Sequence, residues 1–267
     1  MAVGIDMIGG EGGRRLVDRA FRATLTGLYR PDGVRCPIVL YHGVTESGGP
    51  WGVTPACFRR QIEWLSRTFD LFTLHGAVSR WRDGTLPSNP AVVTFDDGLR
   101  STVENALPVL EEYGVPATHY LVPGLFGEPF EGARVMDRGD VSALVARGHE
   151  IGAHTMTHPD LTAVDRRTAR REIAESRDAI AAITGEKPTS FAYPYGAFDD
   201  TVTDLVREAG YETATTVIGS DIVDFTAPFT LSRITIMRQH DLSAVKSLIN
   251  GDRRWQRMID EVTARPL

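Results

Sequence analysis

The sequence contains few cysteines and no long apolar run. Only two of its 267 residues are cysteine, Cys36 and Cys57, and they do not form a C-x-x-C pair. This excludes a disulfide scaffold and a structural zinc motif built on thiolates, so we expect buried free thiols. No segment is long and apolar enough to span a bilayer, and no signal-peptide pattern opens the chain. We therefore expect a cytoplasmic protein.

Excess positive charge is also absent. The net charge of −6 argues against nucleic acid as the main partner. Positive charge is concentrated instead in residues 14–30, where five arginines accompany apolar residues at helical spacing. This pattern predicts a basic amphipathic helix that either docks on the main domain or lies peripherally on the inner face of an anionic membrane. We assign residues 1–30 to a loose segment plus this helix, and 31–267 to a single domain.

After Pro37, β-rich runs alternate regularly with amphipathic helical stretches. The predicted strands are Ile38–Tyr41, Leu71–Leu74, Ala91–Phe95, Ala117–Val122, His149–Ala153, Ser190–Tyr193, Thr213–Ile218 and Leu231–Met237. The predicted helices are Cys57–Phe69, Thr102–Tyr113, Val141–Arg147, Arg166–Thr184, Thr201–Ala209 and Leu242–Ile249. Such alternation predicts an α/β fold with parallel strands joined by crossovers. About eight strands without a break in composition favour one closed barrel, with an open doubly wound sheet as the alternative.

Polar side chains follow four of the predicted strands. They are His42, the pair Asp96 and Asp97, the pair His154 and His158, and the segment Pro194-Tyr195-Gly196. Because parallel strands place their carboxyl ends at one end of a sheet or barrel, these residues are predicted to meet there. The alternative for the two acids is a solvated Asp-Asp-Gly turn.

Two histidines and one carboxylate make a metal-binding set. His154 and His158 are four residues apart, and one acid of the Asp96–Asp97 pair completes a set that suits Zn²⁺ or another divalent metal. The second acid would then accept a proton from water whose pKa the metal has lowered. Spacing alone does not decide which acid has which role.

Three segments, "TFDDG", "HTMTH" and "FAYPYG", resemble in this order the first three motifs of the polysaccharide deacetylase family (NodB homology, carbohydrate esterase family 4). The resemblance covers about residues 37–236. It implies a distorted (β/α) barrel of seven or eight strands and removal of N- or O-acetyl groups from a carbohydrate. It also implies one divalent metal ion, Zn²⁺ first, with Co²⁺, Ni²⁺ or Mn²⁺ as alternatives.

The resemblance also assigns roles. Asp96 corresponds to the general base, and Asp97, His154 and His158 correspond to the metal ligands. Tyr195 would offer its backbone N–H to the developing oxyanion. Pro194 and Tyr195 would also line the substrate site.

The sequence departs from the family pattern in its later part. Ala192 stands where the family has an arginine that orients the base, and the fourth motif, with its tryptophan, is absent. His240 is not cleanly placed for the fifth motif, and we expect a surface or capping histidine there. Arg233 is a candidate replacement for the missing arginine, with a surface ion pair as the alternative.

The segment "PIVLYHGVTE" is similar to the opening strand of deacetylases that act on poly-N-acetylglucosamine. In that subgroup an early histidine is the general acid, which makes His42 the candidate here, with a buried structural histidine as the alternative. Trp51, in the loop that follows, is predicted either to stack on a sugar ring or to pack on the barrel rim.

Three functions remain open at this point. The first is a carbohydrate deacetylase acting on an N-acetylated sugar or oligosaccharide, including a lipid-linked or nucleotide-linked one. The second is an amidohydrolase of small cyclic amides or imides on the same scaffold. The third is a non-catalytic glycan- or metal-binding domain, which the missing arginine and tryptophan favour.

Overall fold

The computed structural model describes residues 33–47 and 49–251. The predicted basic helix at 14–30 and the boundary at residue 30 lie outside these residues. Among the described residues, no helix has the length and apolar character needed to cross a membrane. Cys36 and Cys57 are both buried free thiols, as predicted.

The strands and helices are numbered in chain order. The strands are β1 (Val34–Arg35), β2 (Ile38–Tyr41), β3 (Gly43–Val44), β4 (Gly52–Val53), β5 (Asp70–Phe72), β6 (Pro90–Phe95), β7 (Thr118–Leu121), β8 (Pro129–Phe130), β9 (Ala133–Arg134), β10 (Glu150–Ala153), β11 (Ser190–Ala192), β12 (Thr213–Thr215), β13 (Ile222–Val223) and β14 (Ile234–Thr235). The helices are α1 (Pro55–Thr68), α2 (Leu74–Arg82), α3 (Leu107–Tyr113), α4 (Arg138–Ala146), α5 (Arg166–Thr184), α6 (Asp200–Glu208) and α7 (Leu242–Ile249). A π-helical turn, Thr102–Ala106, leads into α3.

Eight strands form one parallel sheet. Its order is β12-β11-β10-β7-β6-β2-β14, and β5 lies beside the first half of β6. Leu231 forms a bridge to Thr215 in β12, and three residues later Ile234 pairs with Val39 in β2. The segment that contains β14 therefore joins the two ends of the curled sheet. The predicted distorted (β/α) barrel is confirmed, and the open sheet is excluded.

Alternate residues along each strand pack on opposite sides of the sheet. Val39 and Val93 belong to the cluster under α1, whereas their neighbours Ile38 and Val92 belong to a cluster with Leu74. Leu74 begins α2, which therefore packs on the inner side of the sheet. By the same alternation Thr94 and Asp96 point inward from the end of β6, while Phe95 points outward.

Local sequence signals explain where the helices begin and end. Thr54 accepts the N–H of Cys57, one of the unpaired donors in the first turn of α1, and Pro55 occupies the first helical position. Asp165 caps α5 in the same way, and Gly185 ends it in the left-handed conformation. These signals set the bounds of α5, which match the prediction.

Several elements differ from the predictions. Helix α2 and the hairpin β8–β9 were missed. The predicted strand Leu231–Met237 keeps only β14 and the bridge at Leu231. His240 is buried, so a surface position is wrong. Its Nδ1 accepts the N–H of Met237 and thereby caps the loop before α7.

Candidate active site

The two acids stand where β6 ends. Asp96 continues the pairing of β6 with β2, since its N–H donates to the carbonyl of Tyr41 at 3.0 Å. Asp97 and Gly98 then both adopt positive φ, of 66° and 62°. Asp tolerates this conformation better than most residues. The turn changes the direction of the Asp97 side chain, so both carboxylates lie near the imidazole of His154, at 3.9 and 3.6 Å from its Nε2. Both are buried, which excludes a solvated turn.

The two histidines follow β10. The Nδ1 of His154 lies 2.8 Å from the carbonyl oxygen of Ala192 in β11. A carbonyl only accepts, so Nδ1 is the protonated nitrogen and the lone pair is on Nε2. The Oγ1 of Thr155 accepts the N–H of His158 at 2.9 Å and closes the turn that returns His158 to the site.

The donor atoms of Asp97, His154 and His158 fit a metal ion. The two Nε2 atoms are 3.2 Å apart, and Oδ1 of Asp97 lies 3.6 Å from His154 Nε2 and 3.5 Å from His158 Nε2. Tetrahedral Zn²⁺ with bonds of about 2.0–2.1 Å separates its ligands by roughly 3.3–3.4 Å. Among the described residues, this is the one group of three or more His, Cys, Asp or Glu side chains that can hold a metal ion.

Asp96 is held by a buried arginine. Arg233 has no exposed surface, and its Nη1 and Nη2 donate to Oδ1 and Oδ2 of Asp96, each at 2.7 Å. Burial alone would raise the pKa of Asp96, but the charge of Arg233, then that of His154, and the hydrogen bonds from Arg233 lower it to about 2. Asp96 is therefore ionised at neutral pH. The alternative of a surface ion pair for Arg233 is excluded.

The remaining groups are shifted toward their neutral forms. Burial, followed by the negative charges of Asp96 and Glu131, raises the pKa of Asp97 well above its usual range. Burial lowers the pKa of His154. Burial, followed by the charge of His154, lowers the pKa of His158 to about 3. Neutral imidazoles are the forms that bind metals. A cation bound between these three groups would favour the ionised form of Asp97.

His42 lies at the end of β2, at the edge of the same site. Its ring is 5.2 Å from the ring of Trp51, and its buried Nδ1 has no hydrogen-bond partner in the part of the chain that the structure describes. Burial lowers the pKa of His42 to about 4, against the opposing charge of Asp96. Trp51 keeps 40% of its surface exposed, so packing on the rim is incomplete.

Tyr195 lies on the other side of the histidines. It has a positive φ of 58° within the turn Pro194–Gly196, and 54% of its surface is exposed. Its ring packs edge-on against His158 at 4.9 Å, and Phe130 of the β8–β9 hairpin does the same at 5.0 Å. Pro194, which precedes Tyr195 in this turn, is buried. The missed hairpin thus forms part of the site wall.

Ala192 and Glu172 complete the surroundings. Ala192, at the position of the family's arginine, is buried in the cluster of Tyr120 on the inner side of the sheet. The ring of Tyr120 also packs under the guanidinium of Arg233, 5.3 Å away. Glu172, on α5, was not singled out from the sequence although it interrupts an apolar helix face. Its carboxylate accepts hydrogen bonds from the loop between the two histidines.

Comparison with known proteins agrees with this architecture. Residues 83–214 match the family model described as polysaccharide deacetylase. A deacetylase from Streptococcus pyogenes, solved in complex with acetate, superposes with a TM-score of 0.72 over 81% of this chain and 99% of that chain, at 21% identity. This likeness establishes the fold.

Curated relatives share part of the chain. A chitooligosaccharide deacetylase of Sinorhizobium fredii is 38% identical over 133 residues, which are 48% of this chain and 57% of the relative. A poly-β-1,6-N-acetyl-D-glucosamine N-deacetylase of Staphylococcus aureus is 24% identical over 171 residues, covering 60% and 59%. The chain thus spans under two thirds of the length of the curated relatives it matches.

Proposed function

Because the chain belongs to the polysaccharide deacetylase family, we propose that it is a metal-dependent hydrolase that removes N-acetyl, or O-acetyl, groups from a carbohydrate. The observation that carries the proposal is the convergence of Asp97, His154 and His158 beside Asp96. Hydrolysis of an acetamide needs a base that deprotonates water, a positive charge or hydrogen-bond donor that stabilises the oxyanion, and an acid that protonates the leaving amine. The site contains a candidate for each.

Asp97, His154 and His158 would hold the ion, and we propose Zn²⁺ ahead of Co²⁺, Ni²⁺ or Mn²⁺. The chemistry supplied by such an ion is a lowered pKa of water and a polarised carbonyl, which lets a base as weak as Asp96 act at neutral pH. The hydrogen bond from His154 to Ala192 keeps its Nε2 available as a ligand.

Asp96 takes the proton of the attacking water in this proposal. Arg233 holds both carboxylate oxygens, so the carboxylate cannot rotate freely and stays ionised. The backbone N–H of Tyr195 stabilises the oxyanion that forms on the acetyl carbonyl. Arg233 thereby has the part that the family gives to an arginine at the position of Ala192, which removes one reason to regard the domain as non-catalytic.

His42 returns a proton to the leaving amine. Burial lowers its pKa to about 4, so His42 is neutral before reaction at pH 7. In this proposal it receives the proton that Asp96 has taken from water and passes it to the amine as the C–N bond breaks. One proton of the water ends on the amine, and its hydroxyl ends on the acetyl carbon as acetic acid, which ionises to acetate at neutral pH.

Trp51 and Tyr195 present the exposed aromatic surface for the sugar. They flank His42 and His158 respectively, so a sugar ring between them would sit over the candidate ligands. The named relatives act on chitooligosaccharide and on poly-β-1,6-N-acetyl-D-glucosamine. We propose an N-acetylated oligosaccharide as the substrate of this chain, including a lipid-linked one brought close by peripheral contact of residues 14–30 with the inner membrane face. Unchanged partitioning to anionic liposomes after deletion of 1–30 would contradict the membrane contact.

A substrate panel tests the activity. Zn²⁺-loaded and chelator-treated protein would be assayed for acetate release from β-1,4 and β-1,6 N-acetylglucosamine oligomers, and for ring opening of small cyclic amides and imides. Metal-dependent acetate release from the sugars is expected. Ring opening without acetate release would instead support the amidohydrolase, and binding of the oligomers without turnover would support a binding domain.

A further inference from the structure

The loop that carries His158 has an unusual backbone. Thr155 and His158 both have positive φ, of 66° and 65°, although neither is glycine. Such residues are energetically unfavourable in this conformation and persist only where surrounding contacts fix them. The position of His158 therefore depends on what holds the loop.

Glu172 makes most of those contacts. Its Oε2 accepts the backbone N–H groups of Met156 and Thr157 at 2.9 and 2.8 Å, and its Oε1 accepts the hydroxyl of Thr157 at 2.9 Å. These donors belong to the two residues between Thr155 and His158. One carboxylate on α5 thus binds the centre of the loop through three hydrogen bonds.

The hydrogen bonds from the loop compensate for the burial of the Glu172 carboxylate. Its side chain is only 6% exposed, on the helix face that otherwise carries Ala169, Ile173 and Ile180. Within residues 33–47 and 49–251, no cationic side chain lies within ion-pair distance of it. A buried carboxylate is costly unless hydrogen bonds satisfy it, and here the loop supplies them.

The opposite side of the loop is fixed by Gly124. Its N–H donates to the carbonyl of Met156 at 2.9 Å, and a Cβ at this position would lie 2.4 Å from the same oxygen. Backbone contact from one side and the Glu172 carboxylate from the other leave the peptide between Met156 and Thr157 little freedom.

We propose that Glu172 is a positioning residue of the metal centre, which sets the affinity for the ion by fixing the loop of His158. The inference rests on the metal site of the proposed function. The length of the side chain, rather than its charge, is the property that matters. The carboxylate must extend far enough from α5 to accept the N–H groups of Met156 and Thr157. These hydrogen bonds fix the loop in the conformation that places His158 Nε2 at 3.2 Å from His154 Nε2.

Two variants separate reach from charge. Glu172→Gln keeps the reach, because its amide oxygen can accept both N–H groups, but loses the charge. Glu172→Asp keeps the charge but retracts the oxygens by one methylene. Zn²⁺ affinity of each folded apo protein would be measured by competition with a chromophoric chelator, with Glu175→Gln on the exposed face of α5 as the matched control.

Glu172→Asp is expected to bind Zn²⁺ about 10–100-fold more weakly than the native protein, as for other groups that orient ligands, while Glu172→Gln stays within about threefold. The Co²⁺ absorption spectrum should change in the Asp variant alone. The reverse order, or native affinity in both variants, would overturn the positioning role and leave the metal centre intact. If the native protein itself binds no Zn²⁺, both the metal centre and the positioning role fail.

Discussion

Arg233 and Asp96 form a fully buried, two-point ion pair between residues 137 positions apart in the sequence. The Nε of Arg233 also donates to the carbonyl of Thr216 at 2.9 Å. The ring of Tyr120 packs against the guanidinium group. This contact and the hydrogen bonds together fix the position of Arg233. The proposed base therefore has one orientation and a low pKa before any substrate enters.

Arg233→Met should remove both properties. Burial would then raise the pKa of Asp96, so the acidic limb of the activity profile should move to higher pH and turnover should fall by about 100-fold or more. An uncompensated buried charge should also destabilise the protein by about 3–5 kcal/mol in urea unfolding.

Arg233→Lys tests the geometry separately, because it keeps the charge but not the two parallel hydrogen bonds. Arg82→Met, which breaks an exposed ion pair with Glu212, is the control and should cost less than about 1 kcal/mol. An unchanged pH profile in Arg233→Met would contradict the role given to this pair.

Asp97→Asn should stabilise the protein while abolishing metal binding. Asp97 is buried without a hydrogen-bond donor among the described residues, and its raised pKa means that its ionised form is unfavourable in the fold. In chelator at pH 7, the variant should be more stable by roughly 1–3 kcal/mol in urea unfolding. With Zn²⁺ at 100 times its Kd, the native protein should gain about 2.7 kcal/mol and the variant nothing. Equal stabilisation of both proteins by Zn²⁺ would count against Asp97 as a ligand.

Acid stability should report the Asp96 pKa. Its folded pKa of about 2 lies below the ordinary 3.8, so ionised Asp96 stabilises the fold above pH 4, and this contribution is lost as the pH falls toward 2. The full contribution is roughly 2–3 kcal/mol, of which about 1 kcal/mol is lost between pH 5 and pH 3. The free energy of unfolding of chelator-treated native protein and of Asp96→Asn would be measured in urea at pH 5 and pH 3. The native protein should lose about 1 kcal/mol more than the variant between these two pH values. A difference that stays constant would mean that the pKa of Asp96 is not lowered.

His42→Gln should slow the step that needs an acid. Acetate release from N-acetylated oligomers should fall by about 10²–10⁴-fold, with Zn²⁺ content unchanged. An activated aryl acetate, whose leaving group needs no proton, should be hydrolysed at nearly the native rate. If both substrates slow equally, His42 supports the structure rather than the leaving group.

Trp51→Ala should weaken substrate binding without affecting the chemistry. An aromatic contact is worth about 0.5–1.5 kcal/mol, so KM for an oligomer should rise between about two- and tenfold at constant kcat. Val145→Ala, at an exposed apolar residue on α4, is the control and should leave both constants unchanged. A fall in kcat alone would instead place Trp51 in the chemistry through its contact with His42.

Local signals in the sequence predicted much of the fold. The strand Ile38–Tyr41 and the helix Arg166–Thr184 have the predicted bounds because burial of a β-rich run and helix caps are encoded in neighbouring residues. Helix α2 was missed although Leu74, Ala77, Val78 and Trp81 recur at helical spacing. Its packing against the inner side of the sheet is a tertiary property that its own residues do not encode.

The candidate site was likewise predictable only where strand ends determine it, and not where tertiary packing does. Residues at strand ends, such as Asp96 and His154, could be predicted because parallel strands align their carboxyl ends. The pairing of Arg233 with Asp96 was one of two open alternatives, since only the closure of the sheet brings β14 beside β2. Glu172 could have been suspected from its position on an apolar helix face, but its partners depend on how α5 packs.

In the proposed mechanism the two adjacent acids have separate roles, Asp97 as a metal ligand and Asp96 as the base. Zn²⁺ content and acetate release, measured in the same preparations of native protein and Asp96→Asn, separate these roles. We predict equal Zn²⁺ content and acetate release at least 100-fold slower in the variant. Native acetate release from Asp96→Asn, or loss of its Zn²⁺, would contradict the account.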